Sequence, residues 1–246
     1  MRVKRVAATR AIYDARASLP FDGHTNTEEV ARAVDLLCKL EPNRDARVCD
    51  VGCGGGWHLL ELNRRGFSCL YGIDLSAETL LVASQVCRNT SATLIFEDIA
   101  NSSQAEFFDV ATVFNATLGS GSKSSDLSFV RGVAKQLRPG GQLLITYFPH
   151  ELVAAHVGHF SVTYSESKDT VVNSLVEFDP LTSELSIHQS VGDTTLPSER
   201  LRLYSRSQME SLLADAGFVV QRSTSKHGDQ LAKFGIGWIA ATKGHE

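Results

Sequence analysis

Nowhere in this 246-residue sequence do apolar residues run to the roughly 20 in a row that a membrane-spanning helix needs, and the start, MRVKRVAATRAIYDA, has no apolar signal core. The expectation is a soluble, cytoplasmic protein without a membrane partner. That basic, acid-poor start reads as an amphipathic helix in preference to an organelle transit peptide. An excess of positive charge is also missing. With 24 Lys plus Arg against 28 Asp plus Glu the net charge is -4, so nothing general draws the chain to phosphate backbones, and no nucleic-acid partner is expected. Paired CxxC motifs are absent too. The five cysteines, Cys38, Cys49, Cys53, Cys69 and Cys87, lie in the first half and mostly inside apolar segments, so they read as reduced small hydrophobes. Cys49 and Cys53 lack the second pair that a zinc site requires, and no metal is expected. There is no internal repeat. What is present is 43% apolar residues, which excludes disorder as a global description and supplies a core without disulfide or metal staples. The length suits one elaborated domain.

The first half alternates short β-rich runs with helical patterns, the signature of a parallel sheet covered by helices. Arg47–Val51 reads as a strand running into Gly52–Gly56, followed by a helix over Trp57–Arg65 that Gly66 closes. Ser68–Asp74 is the second strand, with Ser76 as N-cap of a helix across Glu78–Cys87 whose buried candidates include Leu80, Leu81 and Ala83. Ala92–Phe96 and Phe108–Phe114 follow as strands, and a helix near Asp126–Leu137 stops before Pro139-Gly140-Gly141 and a strand at Gln142–Phe148. Gly119–Ser125 reads as a flexible polar segment beside the ligand edge. Beyond Phe148 the spacing changes to two, in Phe160–Ser165, Thr170–Phe178, Ser183–Val191 and Glu199–Tyr204, which predicts antiparallel strands with one solvated face. Asp179-Pro180 and Thr182-Ser183 suit a hairpin turn. Ser205-x-x-Gln208 is a capping box opening a helix over Gln208–Ala216, and Phe218–Arg222 and Trp238–Thr242 read as closing strands.

In doubly wound sheets ligands bind beyond the carboxyl ends of the strands, so the residues after each strand belong together. After the first strand comes Asp50-Val-Gly52-Cys53-Gly54-Gly-Gly56, a loop that lets a ligand approach backbone N–H groups at a helix start. Asp74 after the second strand suits the two hydroxyls of a ribose. Asp98 after the third suits an adenine amino group, with Ile99 placed to cover the ring. Asn115-Ala-Thr117 after the fourth is small and polar, at the mouth of the site. A dinucleotide fingerprint, G-x-G-x-x-G, would put its third glycine at position 57, where Trp57 stands. The glycines here follow G-x-G-x-G instead.

These segments resemble a known family. Val48–Leu62, Gly72–Leu80, Glu97-Asp98-Ile99, Phe108–Val113, Leu137–Ile145 and Glu210–Phe218 are similar to the successive motifs of class I S-adenosylmethionine-dependent methyltransferases, and the resemblance spans nearly the whole chain. It implies an α/β fold with a doubly wound, seven-stranded, mostly parallel sheet of Rossmann-like type. It also implies an antiparallel β lid insertion similar to that of a bacterial small-molecule subgroup, carried by FDPLTSELSIHQ and RLRLYS. The corresponding division is a core over 1–148 and 205–246 with an N-terminal helical cap, and a lid over 149–204. Carried over by position, the resemblance implies that Asp50, Gly52, Cys53 and Gly54 hold the methionine part of S-adenosylmethionine. Asp74, with Leu75 beside it, would hold the ribose, and Asp98 with Ile99 the adenine; Asn115 borders the cofactor. Tyr13, in the N-terminal cap, is a contact to the amino-acid end of the cofactor or a packing residue. His58 is read as structural.

Methyl transfer requires in-line alignment of a nucleophile and exclusion of water, and a base only where the acceptor is a hydroxyl or a charged amine. His150, after the fifth strand, and His24, near the cap, are the candidate catalytic bases, with Tyr147, His156, His159 and Asp229 behind them. The Asn/Asp-Pro-Pro-aromatic motif by which nucleic-acid amino-methylating enzymes resemble one another is absent after the fourth strand, which reads Asn115-Ala-Thr-Leu118. The expectation is a small organic acceptor methylated at O or N, S-adenosylhomocysteine as product, and a monomer or homodimer. Two alternatives stay open on sequence alone: a relative that uses the same cofactor for another reaction, such as cyclisation, or serves as a noncatalytic partner; and an NAD-dependent oxidoreductase.

Overall fold

The structure, a computed structural model, describes residues 14, 27–103, 105–114, 118–154, 159–167, 170–224 and 237–244. Helix α1 (Thr27–Leu40) buries Val30, Ala33, Val34 and Leu37, a spacing of three and four that puts them on one face. Glu28 and Glu29 stand in the first turn and Lys39 in the last, where they suit the helix dipole. Strand β1 (Arg47–Val51) is followed by α2 (Trp57–Arg64), β2 (Cys69–Asp74), α3 (Ala77–Val86), β3 (Thr93–Phe96), a single 3-10 turn at Ile99–Asn101, and β4 (Phe108–Val113). Helix α4 (Lys123–Gln136) leads directly into β5 (Leu137–Tyr147), and a short α5 (His150–Ala154) leaves the core. Then come β6 (His159–Ser167), β7 (Thr170–Asp179), β8 (Glu184–Val191), β9 (Thr194–Thr195), β10 (Glu199–Arg202), α6 (Arg206–Ala214), β11 (Phe218–Thr224) and β12 (Gly237–Lys243).

The main sheet has seven strands in the order β11-β12-β5-β4-β1-β2-β3, and β12 alone runs against its neighbours. The α/β expectation is met. Strand residues alternate between two cores. Cys49, Val51, Ala111, Val113, Leu143 and Ile145 pack with α4 and α6, whereas Val48, Val110 and Leu144 pack with α1 and α2. The chain winds outward in one direction from β1 to β3 and in the other from β4 onward. The cleft at the carboxyl end of β1 is therefore the switch point where doubly wound folds bind ligands. A second, antiparallel sheet, β10-β8-β7-β6 with β9 paired to β8, forms a lid. Its own cluster of Val176, Phe178, Leu185, Leu201 and Leu203 receives Phe148, Val153 and Ala154 from the core side. Among the described residues no helix is long and apolar enough to cross a membrane.

Several expectations need correction. Lys123–Ser125 belongs to α4, because the Ser122 hydroxyl accepts the Ser125 N–H and caps the helix there, so only the front of the Gly/Ser stretch is loop. The register between β4 and β5 jumps from Phe108↔Leu137 to Val110↔Gln142, which makes Arg138–Gly141 a bulge within β5 and not a break before it. Leu81 is 60% exposed, while Ala83 on the same helix is buried. The short α5, β9 and the 3-10 turn were not foreseen.

Candidate functional site

Three loops converge at the carboxyl edge. In the first, Gly52, Gly54 and Gly56 have φ of 76°, 50° and 80°, left-handed values that side chains disfavour. The path folds the loop back onto β2: Gly52 and Cys53 both donate their N–H to the Ile73 carbonyl, at 2.7 and 3.1 Å, and Gly56 donates to Cys53 at 3.0 Å. The loop is closed on one side and open on another. A Cβ at Gly56 would lie 2.8 Å from the Cys87 Sγ, whereas a Cβ at Gly54 would meet nothing within 4 Å. The space for a ligand is over Gly54. The N–H groups of Gly52, Cys53, Gly54 and Gly56 are used within the protein, and the glycines permit close approach over Gly54.

Asp74 joins the first loop to the second. Its Oδ2 accepts the Gly54 N–H at 2.9 Å; its Oδ1 accepts the Ser76 N–H at 2.8 Å and the Thr79 hydroxyl at 3.3 Å. Leu75 follows it, half-buried. The Ser76 hydroxyl also donates to Asp14. In the third loop Asp98 accepts the Ala100 N–H at 3.0 Å and the Asn101 side-chain amide at 2.7 Å, so it caps the 3-10 turn. Ile99 is 4% exposed and packs in the core, which leaves little of its side chain free to cover a ring.

Asp50 is 1% exposed at the root of the glycine loop. Its Oδ1 accepts the Thr112 hydroxyl at 2.8 Å, and its Oδ2 has no partner among the described residues. Burial pushes its carboxyl up from an ordinary 3.8 to about 7; the Thr112 bond opposes the rise and the neighbouring Asp74 charge adds to it. A buried, unpaired carboxylate oxygen is costly, and a cation with N–H donors would satisfy it. Thr112 was missed in the sequence; the signal was a hydroxyl in β4, directly opposite Asp50 in the parallel register. All five cysteines are free, and burial pushes the Cys49, Cys53 and Cys87 thiols up, so they stay protonated.

Of the two candidate bases, His150 lies among the described residues. The His150 backbone N–H donates to the Tyr204 carbonyl at 3.0 Å, and its ring meets Phe178 of the lid edge-on, with centroids 5.7 Å apart. His58 is buried and stacked on Phe114 with centroids 4.4 Å apart, which agrees with its structural reading. Burial lowers it to about 4, so it is neutral at neutral pH. Tyr147 is 4% exposed, its hydroxyl has no partner, and burial pushes it up. It borders a small cavity with Leu118, Phe148, Leu203 and Met209 that has room for about one water. Tyr13, His24, Asn115, His156 and Asp229 lie outside the described residues, as does the side chain of His159. Among the described residues no group of three or more His, Cys, Asp or Glu side chains is arranged to hold a metal ion.

The sequence model of the methyltransferase domain family matches residues 23–223. A tRNA U34 carboxymethyltransferase of Pseudoalteromonas translucida is 30% identical over 112 residues, which is 45% of this chain and only 34% of that relative's length. The CcbJ methyltransferase of Streptomyces caelestis superposes with a TM-score of 0.72 at 18% identity, covering 97% of this chain and 98% of that one. An amino pentose methyltransferase of Micromonospora echinaspora, solved with S-adenosylmethionine bound, superposes at 0.67 with 20% identity, covering 93% and 96%. At these identities the superpositions show a shared fold.

Proposed function

The chain belongs to the methyltransferase domain family, and from that premise we propose that it transfers the methyl group of S-adenosylmethionine to an oxygen or nitrogen of a small organic acceptor. The single observation that carries the cofactor reading is the unpaired Asp50 Oδ2 beneath a glycine loop that is open over Gly54. An amino-acid ammonium group supplies the cation this oxygen lacks. Gly52, Cys53 and Gly54 admit the methionine part, Asp74 with Leu75 faces the ribose, and Asp98 with Ile99 borders the adenine, with Tyr13 and Asn115 completing the set.

When bound, the cofactor supplies a methyl carbon made electrophilic by its sulfonium. The chain's own residues hold that group in place, bring the acceptor atom into line at about 3 Å and keep water away, a proximity effect large enough to carry much of the rate. His150 and His24 are the proposed proton acceptors for a hydroxyl or an ammonium. For His150 this requires its ring to leave Phe178. A net charge of -4 and the small-molecule acceptor named for the amino pentose enzyme support a small acceptor over nucleic acid. A cytoplasmic location and a monomer or homodimer complete the reading.

Isothermal titration tests it. Micromolar binding of S-adenosylmethionine and S-adenosylhomocysteine, with none of NAD, is the expected result. A folded protein that binds neither sulfur nucleoside overturns the proposal, and product analysis against a panel of amines and alcohols separates methyl transfer from other uses of the cofactor.

A further inference from the structure

Asp126 lies in the first turn of α4 and is 4% exposed. Its Oδ1 accepts the Gly119 N–H at 3.3 Å, and its Oδ2 accepts the Tyr204 hydroxyl at 2.5 Å across 78 residues of sequence. The Arg202 guanidinium stands 3.8 Å from the same oxygen and donates to the Gly121 carbonyl at 3.1 Å. The backbones are joined as well: Arg202 donates its N–H to the Gly119 carbonyl at 2.9 Å. Gly119 has a φ of 97°, and a Cβ there would sit 2.3 Å from the Arg202 carbonyl oxygen, so only glycine lets the two strands of chain approach this closely. Tyr204 is also where the lid returns to the core. It bridges Pro149, the point of entry, and its carbonyl accepts the His150 N–H.

One buried carboxylate thus sits beneath two structures that border the same edge: the end of the lid, and the loop that follows β4. The apolar side chains that line this seam, Leu118, Leu201 and Leu203, set no direction. Hydrogen bonds to a charged group do, because they are directional and leave a buried charge exposed to loss if either side slips. Burial and the Asp126 charge both push the Tyr204 phenol up, so it remains a donor across the working range of pH.

We propose that Asp126 is a positioning residue that locks the lid's exit strand and the loop after β4 into one body, so that the roof and the side wall of the acceptor site take up a single arrangement. The inference rests on the acceptor-site reading given above. The lid's exit strand does not move alone; it carries with it residues 118–122, which lead into α4.

Hydrogen–deuterium exchange on the full chain, with S-adenosylhomocysteine affinity measured in parallel, tests the coupling in Asp126→Asn and Tyr204→Phe. Exchange at 118–121 and at Glu199–Arg202 should quicken together, at least tenfold, while β1 and β2 keep wild-type protection and the affinity stays within twofold. In protein labelled at the tyrosine Cζ, the Tyr204 resonance should move in Asp126→Asn, a signature of the lost carboxylate that loosened packing alone does not give. Tyr204→Phe keeps the ring and removes only the hydroxyl, so it carries the test if the other variant does not fold. Quickening of one segment without the other, or of neither, overturns the coupling. If the wild type fails to bind S-adenosylhomocysteine while both segments still respond together, the acceptor-site reading falls and the mechanical link stands.

Discussion

Two buried aspartates stand at opposite sides of the same sheet edge and are treated differently by the fold. Asp126, at the lid seam, has a backbone N–H, a phenol and a guanidinium around it; Asp50, under the glycine loop, has one hydroxyl and a second oxygen with no partner. The neighbour that most affects Asp50 electrostatically is another acid, Asp74. A buried carboxylate surrounded by donors joins pieces of chain, while one left short of donors is prepared for a cation that the chain does not contain. On the proposed function, the difference separates a place where the protein holds itself together from a place where it holds something else.

The largest effect expected from breaking this contrast is at Asp74, which has both duties. Asp74→Ala strands the Gly54 and Ser76 N–H groups and removes a proposed ribose contact. It should weaken S-adenosylhomocysteine by more than a hundredfold, on the order of 3 kcal/mol. Unchanged calorimetric affinity in a folded variant would remove the assignment.

Asp50→Asn should cost less, about tenfold at pH 8, and it should also change the pH response. Below about 7 the wild-type carboxyl is protonated and cannot pair with an ammonium, so wild-type affinity should fall toward that of the variant as pH drops. Stability moves the other way. The folded protein keeps this proton up to about 7, whereas the unfolded chain releases it near 3.8; between those values the folded state binds more protons, and stability falls as pH rises. The slope is at most about 1.4 kcal/mol per pH unit for one group. Urea unfolding at pH 5 and pH 8 reads it directly, and an identical slope in Asp50→Asn would show that another group is responsible.

The smallest effect belongs to Tyr147, whose hydroxyl is buried without a partner among the described residues and which borders a cavity with room for about one water. Tyr147→Phe should leave thermal stability unchanged or raise it by up to about 1 kcal/mol, since no protein hydrogen bond is lost. A clear drop in melting temperature would mean that the hydroxyl holds a water that matters.

What was legible in the sequence is what local chemistry decides. The bounds of β1, the Ser76 cap, the Ser205–Gln208 capping box and the hairpin turn at Asp179, where the carboxylate takes the Leu181 N–H and the Thr182 hydroxyl, all depend on neighbours within a few residues. The order of glycines and acids at the strand ends was legible for the same reason. Composition misled at 119–125, because serine serves both loops and helix caps and only the Ser122 hydrogen bond decides between them. Asp50 was named, but its partner Thr112 depends on the pairing of β1 with β4, 62 residues apart. The Asp126–Tyr204 pair is longer still and leaves no local trace. His150 was chosen for its place after a strand, and the lid's apolar cluster, which the sequence could not locate, is what its ring meets.

The bridge between Pro149 and Tyr204 brings the two ends of the lid side by side. Apart from the seam at Leu201–Tyr204, the chain between them is a surface excursion whose ends are already closed, so its length enters the free energy only logarithmically, at about 0.6 kcal/mol for each doubling. Strands can be added, removed or exchanged there without asking the sheet or its glycine loop to adjust. The fold thus separates what must stay constant, the handling of one nucleoside, from what is free to diversify, the shape of whatever receives the methyl group.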